Sequence, residues 1–134
     1  MKKKDSSCNK VIATKYSWIT SKMPQNKIKL SINKKYSKEE YNKIKKGFIP
    51  QQMDDRWFIY FENQKLYFHR SWSGYCIYEI KFSKENEYYI ITEGYLNKEI
   101  VDEKNLVLKD EAKRILLLIN RLLLDENNCY SNKD

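Results

Sequence analysis

Two alternating apolar and aromatic runs flank the short polar pair Asn63-Gln64, and no other stretch restricts the fold as much. A two-residue connection closes a tight hairpin and fixes its register. Glu62 then faces Lys65, Phe61 faces Leu66, Tyr60 faces Tyr67, Ile59 faces Phe68, Phe58 faces His69 and Trp57 faces Arg70. Side chains alternate along a strand, so one face gathers Trp57, Ile59, Phe61, Leu66, Phe68 and Arg70. The other gathers Arg56, Phe58, Tyr60, Tyr67, His69 and Ser71. The first face is almost wholly apolar and is expected to be core, with Arg70 at its rim against Trp57. The second is aromatic with polar tips.

The pattern extends from the hairpin to Leu96. Tyr, Phe, Trp and Ile favour pleated surfaces, and their density predicts four strands, over 56–62, 65–72, 75–82 and 87–95. A second turn falls at Ser73-Gly74, and 83–86 is a polar link. Upstream, Ile28, Leu30 and Ile32 alternate with polar residues, which marks a possible extra strand. Ser37-Lys-Glu-Glu40 is a capping box that opens a short helix, and Gly47 is its natural stop. After a charged connection over 99–108, residues 109–125 form the longest helix. On a wheel of 100° per residue, Ala112, Ile115, Leu116, Leu118, Ile119, Leu122 and Leu123 share one arc. Leu117 and Leu124 fall in the polar arc with Arg121. These three are the candidate interface residues of a homo-oligomer, or else ordinary exposed positions. The expected fold is α+β: a four-stranded antiparallel meander under a long C-terminal helix, with a short N-terminal helix. Residues 1–14 are expected to be a disordered basic tail, and 15–134 one domain with its body at 47–125.

Charge looks at first like the guide to function. The 134 residues carry a formal net charge of +8. Residues 1–50 hold 14 basic and 3 acidic side chains, whereas 51–134 hold 12 and 15. The basic half uses Lys alone; Arg56, Arg70, Arg114 and Arg121 all lie in the second half. Excess Lys, Asn, Ile and Tyr is the mark of AT-rich coding, so the Lys-rich half reads as solvated surface or as an arm that attracts phosphate.

Other chemistries find little support. Three cysteines (Cys8, Cys76, Cys129) and one histidine lie far apart, without the ligand spacing of a zinc site. The thiols read as reduced, which implies a cytoplasmic protein. No apolar run reaches the ~18 residues of a membrane span, and no apolar stretch follows the Met1-Lys-Lys-Lys start as a secretory signal requires. No nucleotide-binding glycine loop, nucleophile elbow or zinc-protease motif occurs. No catalytic residue, metal or cofactor is therefore expected. Asp54-Asp55 precedes the first hairpin strand and reads as a partner for Arg56 or for lysines.

The second hairpin face has two readings. It is covered by the N-terminal segment or another subunit, or it is a binding platform. Aromatic rings stack on bases, and Arg and His donate to phosphate. Arg56, His69, Arg70 and Trp72 gather at one end of the hairpin, beside Ser71, Ser73 and Gly74. Gly74 allows a positive φ or close backbone approach. The candidate ligand-binding set is Arg56, Tyr60, Tyr67, His69, Arg70, Ser71, Trp72, Ser73 and Gly74.

The runs Met53-Asp-Asp-Arg-Trp-Phe-Ile-Tyr-Phe-Glu and Leu66-Tyr-Phe-His-Arg-Ser-Trp-Ser-Gly-Tyr-Cys-Ile-Tyr-Glu-Ile resemble a largely uncharacterised family of small bacterial and phage proteins. The resemblance spans roughly residues 47–124, and its His-Arg-Ser-Trp-Ser-Gly core is fairly specific. Related segments occur beside ADP-ribosylglycohydrolase-like domains, which implies an ADP-ribose or NAD-derived ligand. No hydrolase motif is present, so that activity does not carry over. Three functions follow as expectations. The first is a non-enzymatic protein that sequesters a small anionic nucleotide-type ligand, as a phage anti-defence protein does. The second is a protein-interaction module of the immunity or anti-defence type. The third is nucleic-acid binding through the Lys-rich half.

Overall fold

The computed structural model describes residues 11–125, and the chain is α+β with a largely antiparallel sheet. Six strands form it: β1 (Lys27–Leu30), β2 (Lys35–Tyr36), β3 (Trp57–Glu62), β4 (Lys65–Arg70), β5 (Cys76–Glu85) and β6 (Tyr88–Asn97). The spatial order is β1-β6-β5-β4-β3, and β2 also pairs with β6. Beyond the four strands expected over 56–95, the sheet takes in β1, where the possible extra strand was expected, and β2, which was not. β2 is too short to stand out by periodicity, and both β1 and β2 gain their backbone partners only from β6, some sixty residues on in the chain.

The first hairpin has the register that a two-residue turn dictates, from Trp57 opposite Arg70 to Glu62 opposite Lys65. Asn63 and Gln64 both have positive φ, 54° and 66°. That twist suits the flanking strands. β5 runs on to Glu85, so the polar stretch read as a link over 83–86 is mostly strand, and the turn comes at Asn86. A bulge between Phe68 and His69 leaves Ile77 as the extra residue on β5 and sets His69 opposite Cys76.

Helix α1 (Lys38–Ile44) is opened by the Ser37 capping box, with Ser37 Oγ accepting from Glu40 N and Glu40 accepting from Ser37 N. Helix α2 (Leu108–Leu118) continues into a π-helical turn, Ile119–Leu124. Residues of α1, α2 and the π turn share one buried cluster with Trp57, Ile59, Leu66, Phe68, Tyr78, Ile80 and Leu96. Leu117 is 59% exposed, and Arg121 is exposed. Leu124 is corrected: it is partly buried against the core. A π turn advances fewer degrees per residue than an α turn, which brings Leu124 round from the polar arc.

The opposite face of the hairpin is covered at one end by the segment before β1. Trp18 stacks on Phe58 at 6.0 Å and donates Nε1–H to Ser71 O. Ser21 N donates to Gly74 O. Ala13, expected in a disordered tail, is only 1% exposed and donates its N–H to Lys46 O. Residues 1–10 of that tail, with Cys8, and Cys129 lie outside the described residues. No helix among the described residues is long and apolar enough to cross a membrane.

Candidate functional site

The loop after β4 is pinned from both sides. Gly74 N donates to Arg70 O, Ser71 N to Arg56 O, and Ser71 Oγ to Asp55 O. Asp55 Oδ2 in turn accepts from Gln51 N and Gln52 N. Asp55 is therefore a loop fastener, not a partner of Arg56. Trp72 lies across this frame with Nε1–H donated to Met53 O at 3.2 Å, yet its indole is 77% exposed. Desolvating a large aromatic face is favourable, so an exposed indole held in place by its polar end offers a ligand a fixed stacking surface.

A cleft of about 400 Å³ lies beside it, lined by Met53, Asp54, Arg56, Arg70, Trp72 and Ser73. Four of the nine expected ligand residues (Arg56, Arg70, Trp72, Ser73) thus share one concave site. Ser73 Oγ accepts from Tyr75 N, which leaves its O–H to donate. A neighbouring cleft on the other side of Trp72 takes in Ser71 together with Trp18 and Gln51. There the Ser71 hydroxyl already spends its proton on Asp55 O.

The remaining expected ligand residues stand elsewhere. His69 is 1% exposed and lies on the covered face, stacked against Tyr60 at 5.6 Å. Tyr60 stacks in turn on Tyr67 at 4.9 Å. Burial pushes the Tyr60 hydroxyl up to about 12, with the neighbouring Tyr67 adding to it. The reason is strand parity: Tyr60, Tyr67 and His69 point to the face opposite Arg70. Gly74 has φ +80°, and the backbone that approaches it is that of Ile19, not a ligand. Its carbonyl accepts from Ser21 N and from His69 Nδ1 at 3.0 Å.

Because a carbonyl only accepts, His69 Nδ1 carries the proton and Nε2 keeps its lone pair. Nε2 is buried with no hydrogen-bond partner. Burial holds the imidazole below its ordinary value, against the opposing pull of the Gly74 bond. A histidine whose folded value is depressed lends its stability above the unfolded value and loses it as pH falls. Stability should therefore drop below about pH 6.5, by about 1.4 kcal/mol per pH unit, until the folded group takes up the proton. His69 is the single histidine of the chain. Urea unfolding at pH 7.0 and 5.5 should show this slope in the native protein and lose it in His69→Gln. An equal slope in both would place its origin elsewhere.

The electrostatics of the cleft were not legible in the sequence. The Arg70 guanidinium sits 4.5 Å from the Trp57 ring centroid, and Arg114 from α2 sits 5.3 Å from the same ring. Arg70 is held below its ordinary value by burial first, then by Arg114 and Arg56. The ion pairs Lys15–Glu62, Lys27–Glu79 and Lys65–Glu79 involve none of these arginines. Arg70, repelled by both other guanidiniums and steadied by an indole, favours an incoming anion, with the Asp54 carboxylate in the same wall acting against it. Arg114 and Met53 were missed because one helix arginine and one loop methionine carry no pattern of their own. Asp54 was seen, but not its place in the cleft wall.

Burial and nearby Glu79 push the Cys76 thiol up to about 12, so it is no nucleophile at neutral pH. Among the described residues no cluster of His, Cys, Asp or Glu could hold a metal ion. No family model, characterised protein or solved structure matches the chain.

Proposed function

We propose that the protein binds a small anionic ligand of the nucleotide class in the Arg56–Arg70–Trp72 cleft and holds it without turnover. The observation that carries this reading is the convergence of two arginines without carboxylate partners, one free hydroxyl and one exposed indole in a single concave site. Guanidiniums grip phosphate oxygens in a fork, the Ser73 hydroxyl donates beside them, and Trp72 stacks on a base. The four consecutive strands β3–β6 and the C-terminal helical segment are the unit that carries the site. The resemblance of its motif to segments found beside ADP-ribosylglycohydrolase-like domains makes ADP-ribose and its cyclic derivatives the first probes.

Calorimetry with these probes should give saturable heat, and the ligand should be recovered intact. Trp72→Ala should weaken binding about tenfold, the cost of one lost stacking partner. Arg56→Ala should weaken it by about tenfold or more, the loss of a charged hydrogen bond. Both side chains are exposed, so unfolding midpoints should stay close to native. No heat with any probe well above micromolar concentration would remove the reading.

A second reading is docking of a protein partner on the same end. Met53 and Ile19 are strongly exposed beside Trp72 and Tyr75, and clustered exposed apolar groups mark interfaces. Absence of ligand heat, with a stoichiometric partner released by Met53→Glu, would favour it.

A further inference from the structure

Arg70 lines not one cleft but two. On its far side a second hollow of about 360 Å³ is bounded by Tyr75, Ile77, Asp102, Asn105, Glu111 and Arg114, among others. Its polar wall is prearranged. Asn105 Nδ2 donates to Asp102 Oδ2 at 2.8 Å, and Lys104 N donates to Asp102 Oδ1 at 3.1 Å. Glu111 accepts from the Tyr78 hydroxyl. The Asn105 amide oxygen and the second lone pairs of both carboxylates remain to accept hydrogen bonds. Carboxylates and amides of this kind receive the hydroxyls of a sugar. They would repel a further phosphate, so the negative charge of a ligand must end at the arginines between the hollows.

Resting on the nucleotide reading above, we infer that the two hollows are lobes of one site and take the two ends of one ligand. An aromatic base lies against Trp72, a diphosphate spans Arg56, Arg70 and Arg114, and a hydroxyl-rich group meets Asp102, Asn105 and Glu111. Arg70 is the waist: its position over the Trp57 ring faces it to both lobes. Arg114 joins from α2 over the same ring.

ADP and ADP-ribose separate the lobes, since ADP has the base and the diphosphate but lacks the distal ribose. The native protein should bind ADP-ribose about tenfold or more tighter than ADP, the worth of one or two added hydrogen bonds to charged or polar partners. Asn105 is exposed, in a 3₁₀ turn. Asn105→Ala should bring ADP-ribose down to the affinity of ADP and leave ADP unchanged, and Asp102→Ala should act the same way. Trp72→Ala should weaken both ligands together. Equal affinity for the two, untouched by the Asn105 and Asp102 variants, overturns the second lobe and leaves the first standing. Failure of both ligands to bind overturns the nucleotide reading itself.

Discussion

Trp57→Ala should cost about 3–5 kcal/mol of folding stability, the usual loss for a large aromatic deleted from a packed core. Trp57 is buried in a cage of rings, edge-on to Phe68 at 6.3 Å and stacked near Tyr78 at 5.9 Å. Arg70 and Arg114 lie over the ring, each cation–π contact worth a further ~0.5–1 kcal/mol. Set against a total stability of about 5–15 kcal/mol for a domain, the loss should move the urea midpoint far down. Trp57→Phe keeps a ring and should recover most of that stability while withdrawing area from the two guanidiniums. Affinity for the nucleotide probes should therefore fall in Trp57→Phe more than its stability does. A native-like midpoint in Trp57→Ala would show that the ring is not central to the packing.

Gly47→Ala should be nearly as damaging, at about 3 kcal/mol or more, though it adds only a methyl group. Gly47 has φ +69°, and a Cβ there would stand 2.2 Å from the carbonyl oxygen of Ile59 and 2.9 Å from Ala13 Cβ. The left-handed conformation costs an alanine about 1–2 kcal/mol. The clash adds to it, because the Ile59 carbonyl accepts from Phe48 N, and Ile59 N donates back to Phe48 O. Separating Phe48 from Ile59 forfeits two hydrogen bonds, at about 1 kcal/mol each. Amide exchange at Phe48 and Ile59 should accelerate together in the variant, with thermal unfolding shifted down. If those two amides stayed protected, the backbone would have found another way around the methyl group, and the cost would shrink to the strain alone.

These two positions differ in how visible they were. Gly47 announces itself, since a glycine after an amphipathic turn and a capping box is where a helix ends. That Ile59 and Ala13 crowd against it is a tertiary fact. Trp57 likewise shows as an inward residue by parity, with Arg70 across from it. The arrival of Arg114 over the same ring depends on where α2 crosses the sheet, and nothing in residues 108–118 encodes that crossing.

Sequence alone determined what is local and periodic. The two-residue turn fixed every pairing from Trp57–Arg70 to Glu62–Lys65, because a strand shifted by one residue would turn its apolar side chains to water. It also determined the inward arc of α2, for the same reason at a period of 3.6. Tertiary structure alone decided what depends on contacts between distant residues. β1 and β2 are strands because β6 supplies their partners. His69 is buried and Trp72 exposed, although three positions separate them, because the segment carrying Trp18 and Ile19 lies over one side of the β4–β5 loop and not the other. Burial is a property of what covers a side chain, and the covering chain here comes from some fifty residues away.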